Sequence, residues 1–244
     1  KAYCSEKAHE VYAEMYALLL PGEERRAGRG ARTTPMYTKL KAKGCVYTEA
    51  FGWERPKWFS QDGREEEAGF RHNNVFCVVA QECKAVRERV GVLELSSFSK
   101  YAVTGPDARK FLNRVCANKI PARDGRVILA HLLTENGRIE NEFTITRMAS
   151  DHFYLLSAAI SELRDFDLLN HRKLATEDVT ITNITDDWGV LVLAGPRSRQ
   201  LLSKITDVDL GNDAFPWLTG QEIEVAGIPL RAIRVNYVGE LGWE

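Results

Sequence analysis

Apolar residues recur at helical spacing in some stretches of the chain and alternate with polar ones in others. Val11, Met15 and Leu18/Leu19 predict a helix over residues 7–20, stopped by Pro21-Gly22. The polar, charged and glycine-rich GEERRAGRGARTTP (22–35) reads as a linker or exposed loop. Residues 36–71 show little periodicity but carry an aromatic knot, FGWERPKWF (51–59). Val75, Val78/Val79, Val86 and Val90 predict one apolar helix face over residues 73–90, with Gly91 just beyond its end.

KYAVTGPDARKFLNRV (100–115) reads as strand, turn and helix, with Pro106 near the first helical position. GVLVLAGPRSRQLLSKI (189–205) repeats that order, so two similar units are expected in an α+β architecture. Between them, residues 126–133 and 138–147 predict a hairpin turned at Asn136-Gly137, with residues 153–156 as a third strand. Residues 160–174 predict an amphipathic helix carrying Leu163, Phe166 and Leu169. Strands are expected at 179–184, 221–225 and 230–237.

Composition narrows the function classes. The 244 residues are 44% hydrophobic and 27% charged, with a formal net charge of −1, which suits an ordinary globular protein and offers no basic field for nucleic acid. The longest apolar runs are too short to span a bilayer, and the opening KAYCSEKAHE lacks the apolar core of a signal peptide. A start without Met suggests a piece of a longer protein. Cys4, Cys45, Cys77, Cys83 and Cys116 lack metal-ligand spacing and read as buried free thiols in a reducing compartment. No G-x-G-x-x-G follows a strand and no G-x-S-x-G elbow occurs; His131 and His171 lack a recognisable nucleophile partner and read as structural or solvated.

Two acidic stretches remain. In GRIENEFTITR (137–147), alternation puts Glu140, Glu142 and Thr144 on one face and Ile139, Asn141, Phe143 and Ile145 on the other. The apolar company belongs with Asn141, so taken alone Glu142 reads as solvent-facing. In NYVGELGWE (236–244), a glycine turn joins Tyr237 to Trp243 and Glu244. A surface hairpin accounts for the glycines. A carboxylate beside aromatics also suits a flat heterocycle with adjacent N–H donors, such as a pterin or guanine.

The closing YVGELGWE resembles the Y-x-G-E-x-G-x-E signature of the glycine-cleavage T-protein (aminomethyltransferase) family. With FGWERPKWF, VGVLELSSFSKYAVTGPDARKFL and LLTENGRIENEFTITR in the same order, the chain is similar to the folate-binding half of the dimethylglycine and sarcosine dehydrogenases. The resemblance implies an α+β fold of two related subdomains, with antiparallel sheets covered by helices and without the family's C-terminal β-barrel. It implies that residues 1–36 end a flavin-oxidoreductase part and that 37–244 form an incomplete T-protein-like domain.

It further implies tetrahydrofolate as cofactor, FAD in a covalently fused upstream domain, and an N-methyl amine as the other small-molecule partner, with no nucleic acid or membrane. Glu244 matches the pterin-binding carboxylate and Tyr237 its tyrosine. Leu129 stands where an aromatic commonly contacts folate. Glu142 and Asn141 occupy the two positions of the catalytic acidic pair. The implied activity captures a methyl-derived carbon as 5,10-methylene-tetrahydrofolate, in a bacterial cytoplasm or a mitochondrial matrix. A non-catalytic folate-binding module and a T-protein-fold demethylase of another methyl donor are the alternative readings.

Overall fold

The structure is a computed structural model that describes residues 1–235 and 239–244. Helix α1 (Ala2–Ala13) buries no residue, and Val11, Tyr12, Met15, Tyr16 and Leu18 are exposed. The helix thus begins and ends earlier than the 7–20 spacing predicts, and its apolar positions do not form a buried face. After α2 (Tyr37–Ala42), β1 (Cys45–Ala50) and β2 (Trp53–Phe59) form an antiparallel hairpin in the stretch that lacks periodicity. Pro56 is tolerated there because it lies beside the register shift at Val46/Tyr47, in a two-stranded sheet. Trp53, Glu54 and Trp58 of this hairpin are buried; Arg29 grips Glu54 at 2.6 and 2.8 Å, and Gly30 N–H donates to the same carboxylate at 2.7 Å.

Helix α3 (Phe76–Glu88) buries none of its own residues; of the valine face expected over 73–90, Val75 is buried, Val78, Val86 and Val90 are partly covered and Val79 is exposed. Strands β3 (Gly91–Glu94) and β4 (Ser99–Thr104) lead to α4 (Ala108–Val115). The expected hairpin forms as β5 (Val127–Leu133) and β6 (Ile139–Ala149), followed by β7 (His152–Ser157). Gly137, at φ +74°, sits in the turn, where its N–H donates to Thr134 C=O at 2.9 Å. A short 3₁₀ turn precedes α5 (Glu162–Arg172), which turns Leu169 inward but leaves Leu163 in solvent, against expectation. The chain continues through β8 (Thr180–Asn183), β9 (Leu191–Ala194), α6 (Ser198–Leu202), the hairpin β10 (Thr219–Val225)–β11 (Ile228–Arg234), and β12 (Gly242–Trp243).

Two antiparallel sheets dominate, of order β5-β6-β7-β4-β8 and β12-β9-β3. One face of the larger sheet packs Tyr101, Val103, Phe143, Ile145, Phe153 and Leu155 against Phe111 and Leu112 of α4 and Leu169 of α5. The other face brings Val127, Tyr154 and Leu156 against Ile233 of the β10–β11 hairpin.

The repeat legible in the sequence is real in three dimensions. Gly105 (φ +119°) and Gly195 (φ +126°) each end a strand and precede a Pro and a helix. An added Cβ would lie 2.4 Å from Asp178 C=O at the first and 2.7 Å from Arg89 C=O at the second, so both corners require glycine. The carbonyl that crowds each corner comes from the other unit: β8, which leads into the second, pairs with β4 of the first, and β3, which leads into the first, pairs with β9 of the second.

Of the five free thiols, Cys45 and Cys116 are buried as expected, but Cys4, Cys77 and Cys83 are exposed. Among the described residues no helix is long and apolar enough to cross a membrane, and no group of three or more His, Cys, Asp or Glu is placed to hold a metal.

Candidate functional site

Strand register decides which candidates meet. His131 lies opposite Glu142, Leu129 opposite Thr144, and Val127 opposite Thr146, which in turn faces Tyr154. All share one face of the large sheet, because side chains alternate along each strand. Its Val127–Tyr154 end lies under Ile233, whereas Leu129 at the other end is 49% exposed. Glu142 is half exposed, and its Oε2 lies 2.9 Å from His131 Nε2.

Glu244 is brought to the covered end of this face. Its backbone exchanges two hydrogen bonds with Ile233, at 2.7 and 2.8 Å. Burial pushes its carboxyl up to about 7. Tyr154 lies close by: burial raises its phenol, the Arg231 cation opposes this, and the Glu244 charge adds to it. Arg231 itself sits between two rings, 4.6 Å from Tyr154 and 5.1 Å from Trp188, and donates to Glu222 at 3.0 Å. Glu142 and Thr146, four residues apart on β6, are separated by about 13 Å along the strand. The two carboxylates therefore lie on the same side of one sheet, at opposite ends of that face.

The closing motif owes its residue types to this placement. Gly242 pairs with Ala194, and a Cβ there would stand 2.3 Å from Leu193 C=O. Trp243 is buried, its ring 6.2 Å from that of Phe215 at 70°, and it anchors the segment so that Glu244 meets β11. Tyr237 lies outside the described residues.

Asn141 points the other way. It shares the core face with Phe143 and Ile145, near the fully buried Asp165. Burial pushes the Asp165 carboxyl up, and Ser157 Oγ–H, donating at 2.7 Å, and Asn141 oppose the rise. Glu142 and Asn141, adjacent in sequence, therefore face opposite sides of the sheet. His131 and Tyr154 join the Glu142–Glu244 face by cross-strand register, and Arg231 through the β10–β11 hairpin that lies over it, none of them with a sequence signal to single it out. A mixed-charge cleft of about 540 Å³ lined by Arg26, Arg29, Arg64 and Glu66 lies elsewhere, beside β1.

Residues 36–244 match the GCVT N-terminal domain family, and residues 1–34 match the FAD dependent oxidoreductase central domain family. The mitochondrial dimethylglycine dehydrogenase of Rattus norvegicus is 39% identical over 246 residues, covering 99% of this chain and 28% of that protein. The mitochondrial sarcosine dehydrogenase of Homo sapiens is 28% identical over 98% of this chain and 30% of its own length. The chain thus spans about three-tenths of these relatives. The crystal structure of glycine cleavage system aminomethyltransferase T from Bartonella henselae superposes with a TM-score of 0.70 at 22% identity, over 88% of this chain and 53% of that one, and shares the fold. With the family matched over most of its length, the chain belongs to the GCVT, or glycine-cleavage T-protein, family and is related to the dimethylglycine and sarcosine dehydrogenases.

Proposed function

We propose that residues 37–244 form the tetrahydrofolate-binding, one-carbon-transfer domain of an FAD-linked N-methyl-amine dehydrogenase of the dimethylglycine or sarcosine type, and that residues 1–36 end its flavin-bearing part. One observation carries the reading: a largely buried carboxylate at the closing motif is held over the sheet face that also carries a second, accessible carboxylate in the family's acidic position. Tetrahydrofolate supplies secondary-amine nitrogens that accept a one-carbon unit.

Glu244 accepts the paired N–H donors of the pterin edge; burial strengthens such charge-assisted bonds. With its carboxyl raised to about 7, Glu244 is partly protonated at neutral pH until those donors favour the ionised form. Tyr237 packs on or bonds to the ring, and Leu129 offers an exposed apolar contact on the same face as Glu142. Glu142 orients the reacting nitrogen and takes its proton, a role typically worth about 10²–10⁴-fold. Asn141, on the opposite face, supports the strand from the core side. Flavin is assigned to the upstream part, since no strand here leads into a dinucleotide-binding glycine motif.

Calorimetric titration of tetrahydrofolate into the full-length protein, beside its Glu244→Gln variant, tests the reading. Micromolar binding that weakens about ten- to hundredfold in the variant is expected, as for one lost charge-assisted pair. Absence of binding to the unmodified protein overturns the assignment.

A further inference from the structure

We infer that His131 is a positioning residue for Glu142, its imidazole holding one carboxylate oxygen so that the other is presented to the ligand; this rests on the one-carbon reading above. The juxtaposition is built into the sheet. His131 and Glu142 stand directly opposite on β5 and β6. On the open side of β5, the His131 N–H donates to Asn118 Oδ1 at 3.0 Å, and its C=O accepts from the Ala117 N–H at 2.8 Å. Both backbone groups therefore point away from β6, which makes His131–Glu142 a non-hydrogen-bonded pair, the register that brings opposing side chains closest.

Those two bonds also pin the edge strand at this residue. The imidazole is consequently anchored at its backbone and engaged at Nε2, 2.9 Å from Glu142 Oε2. Among the described residues, no other hydrogen bond is made to the Glu142 side chain, so Oε1 is left open on the half-exposed face. A contact from Nε2 selects the tautomer that carries its proton there, and a neutral ring can make it. Fold stability gains little from a half-exposed pair of this kind. A restricted rotamer for the proton-handling carboxylate is a more substantial return, since misplacement of a reacting group is costly to rate.

A double-mutant cycle in the full-length protein tests this. Tetrahydrofolate affinity by calorimetry and the rate of 5,10-methylene-tetrahydrofolate formation are measured for the parent, His131→Ala, His131→Gln, Glu142→Gln and the His131→Ala/Glu142→Gln pair. His131→Ala should lower the product rate about tenfold and weaken binding severalfold. His131→Gln, which keeps an N–H donor near the Nε2 position, should restore most of both. On the Glu142→Gln background, His131→Ala should cost little more, because residues acting through one another are not additive.

Additive losses, or His131→Gln as impaired as His131→Ala, overturn the inference. If Glu142→Gln is impaired while His131→Ala equals the parent, the His131 role alone fails. If the parent neither binds tetrahydrofolate nor forms the product, the one-carbon reading fails and takes this inference with it.

Discussion

Glu244 and Ile233 hold each other through both backbone groups, Ile233 N–H donating to Glu244 C=O at 2.7 Å and Glu244 N–H to Ile233 C=O at 2.8 Å. The exchange fixes where the last carboxylate emerges, over Tyr154 and away from open solvent. Its titration then becomes a reporter of the site. The folded-state value, about 7, lies above the ordinary carboxylate value of 4.5, so the folded protein binds a proton more tightly than the unfolded chain. The sign follows: stability associated with this group is full below pH 4.5 and is lost as pH rises through about 7, by about 3 kcal/mol at most. Glu244→Gln should flatten that slope between pH 5 and 8 in urea melts. An unchanged slope would show that Glu244 is solvated.

Ligand binding should carry the opposite linkage. If the pterin edge needs an ionised Glu244, tetrahydrofolate binding near pH 6.5 expels a proton, and affinity rises with pH up to about 7. Titrations in two buffers of different ionisation enthalpy read the proton count directly. Proton uptake would contradict the assigned role.

Lys100 provides a structural test. It is fully buried on β4, and its ammonium donates to the carbonyls of Ser96 and Phe98 at 2.8 Å and of Thr185 at 2.9 Å. Burial pushes it down to about 8, a fall that the Asp186, Glu162 and Glu94 carboxylates oppose. Lys100→Met leaves those carbonyls unpaired and should cost about 3 kcal/mol or more in chemical denaturation. A loss below about 1 kcal/mol would mean that the carbonyls find other donors.

Arg32 is the strap between the first segment and the large sheet's surroundings. It reaches Glu162 and Asp186 at 2.7 Å each and lies 4.0 Å from the Trp53 ring centroid. Because the guanidinium is about one-third exposed, Arg32→Ala should lower stability by only about 1–2 kcal/mol. The sharper readout is limited proteolysis, in which cleavage within residues 22–35 should accelerate several-fold while the 91–235 body persists.

The duplicated corners predict paired behaviour. Gly105→Ala and Gly195→Ala each combine positive φ with a Cβ inside van der Waals distance of a backbone carbonyl. Each should destabilise by about 2–4 kcal/mol. Similar losses in the melts of both variants are expected, whereas Gly137→Ala, with open space around its Cβ, should cost less.

Legibility followed locality. The 126–147 hairpin could be read because alternation and Asn136-Gly137 agree, and the two units could be read because Gly-Pro punctuates both. The β1–β2 hairpin escaped because Pro56 interrupts its pattern and Phe51 takes a turn position at φ +56°, which sequence normally assigns to Gly or Asn. Leu163 matched the helical spacing, but its azimuth on α5 faces solvent. At the candidate site, Glu142, Leu129 and Glu244 were named from motifs, and alternation correctly parted Asn141 from Glu142. The approach of Glu244 to Tyr154 and of Arg231 to the same ring depends on how β11 lies over the sheet, which no local pattern encodes.

The reciprocal loan of strands between the repeated units has a consequence for how the protein comes apart. Each unit keeps its neighbour's strand as part of its own hydrogen-bonded fabric, so neither has a complete sheet to retreat to when the other melts. A break in the 173–178 connection should therefore leave two pieces that fold only when mixed.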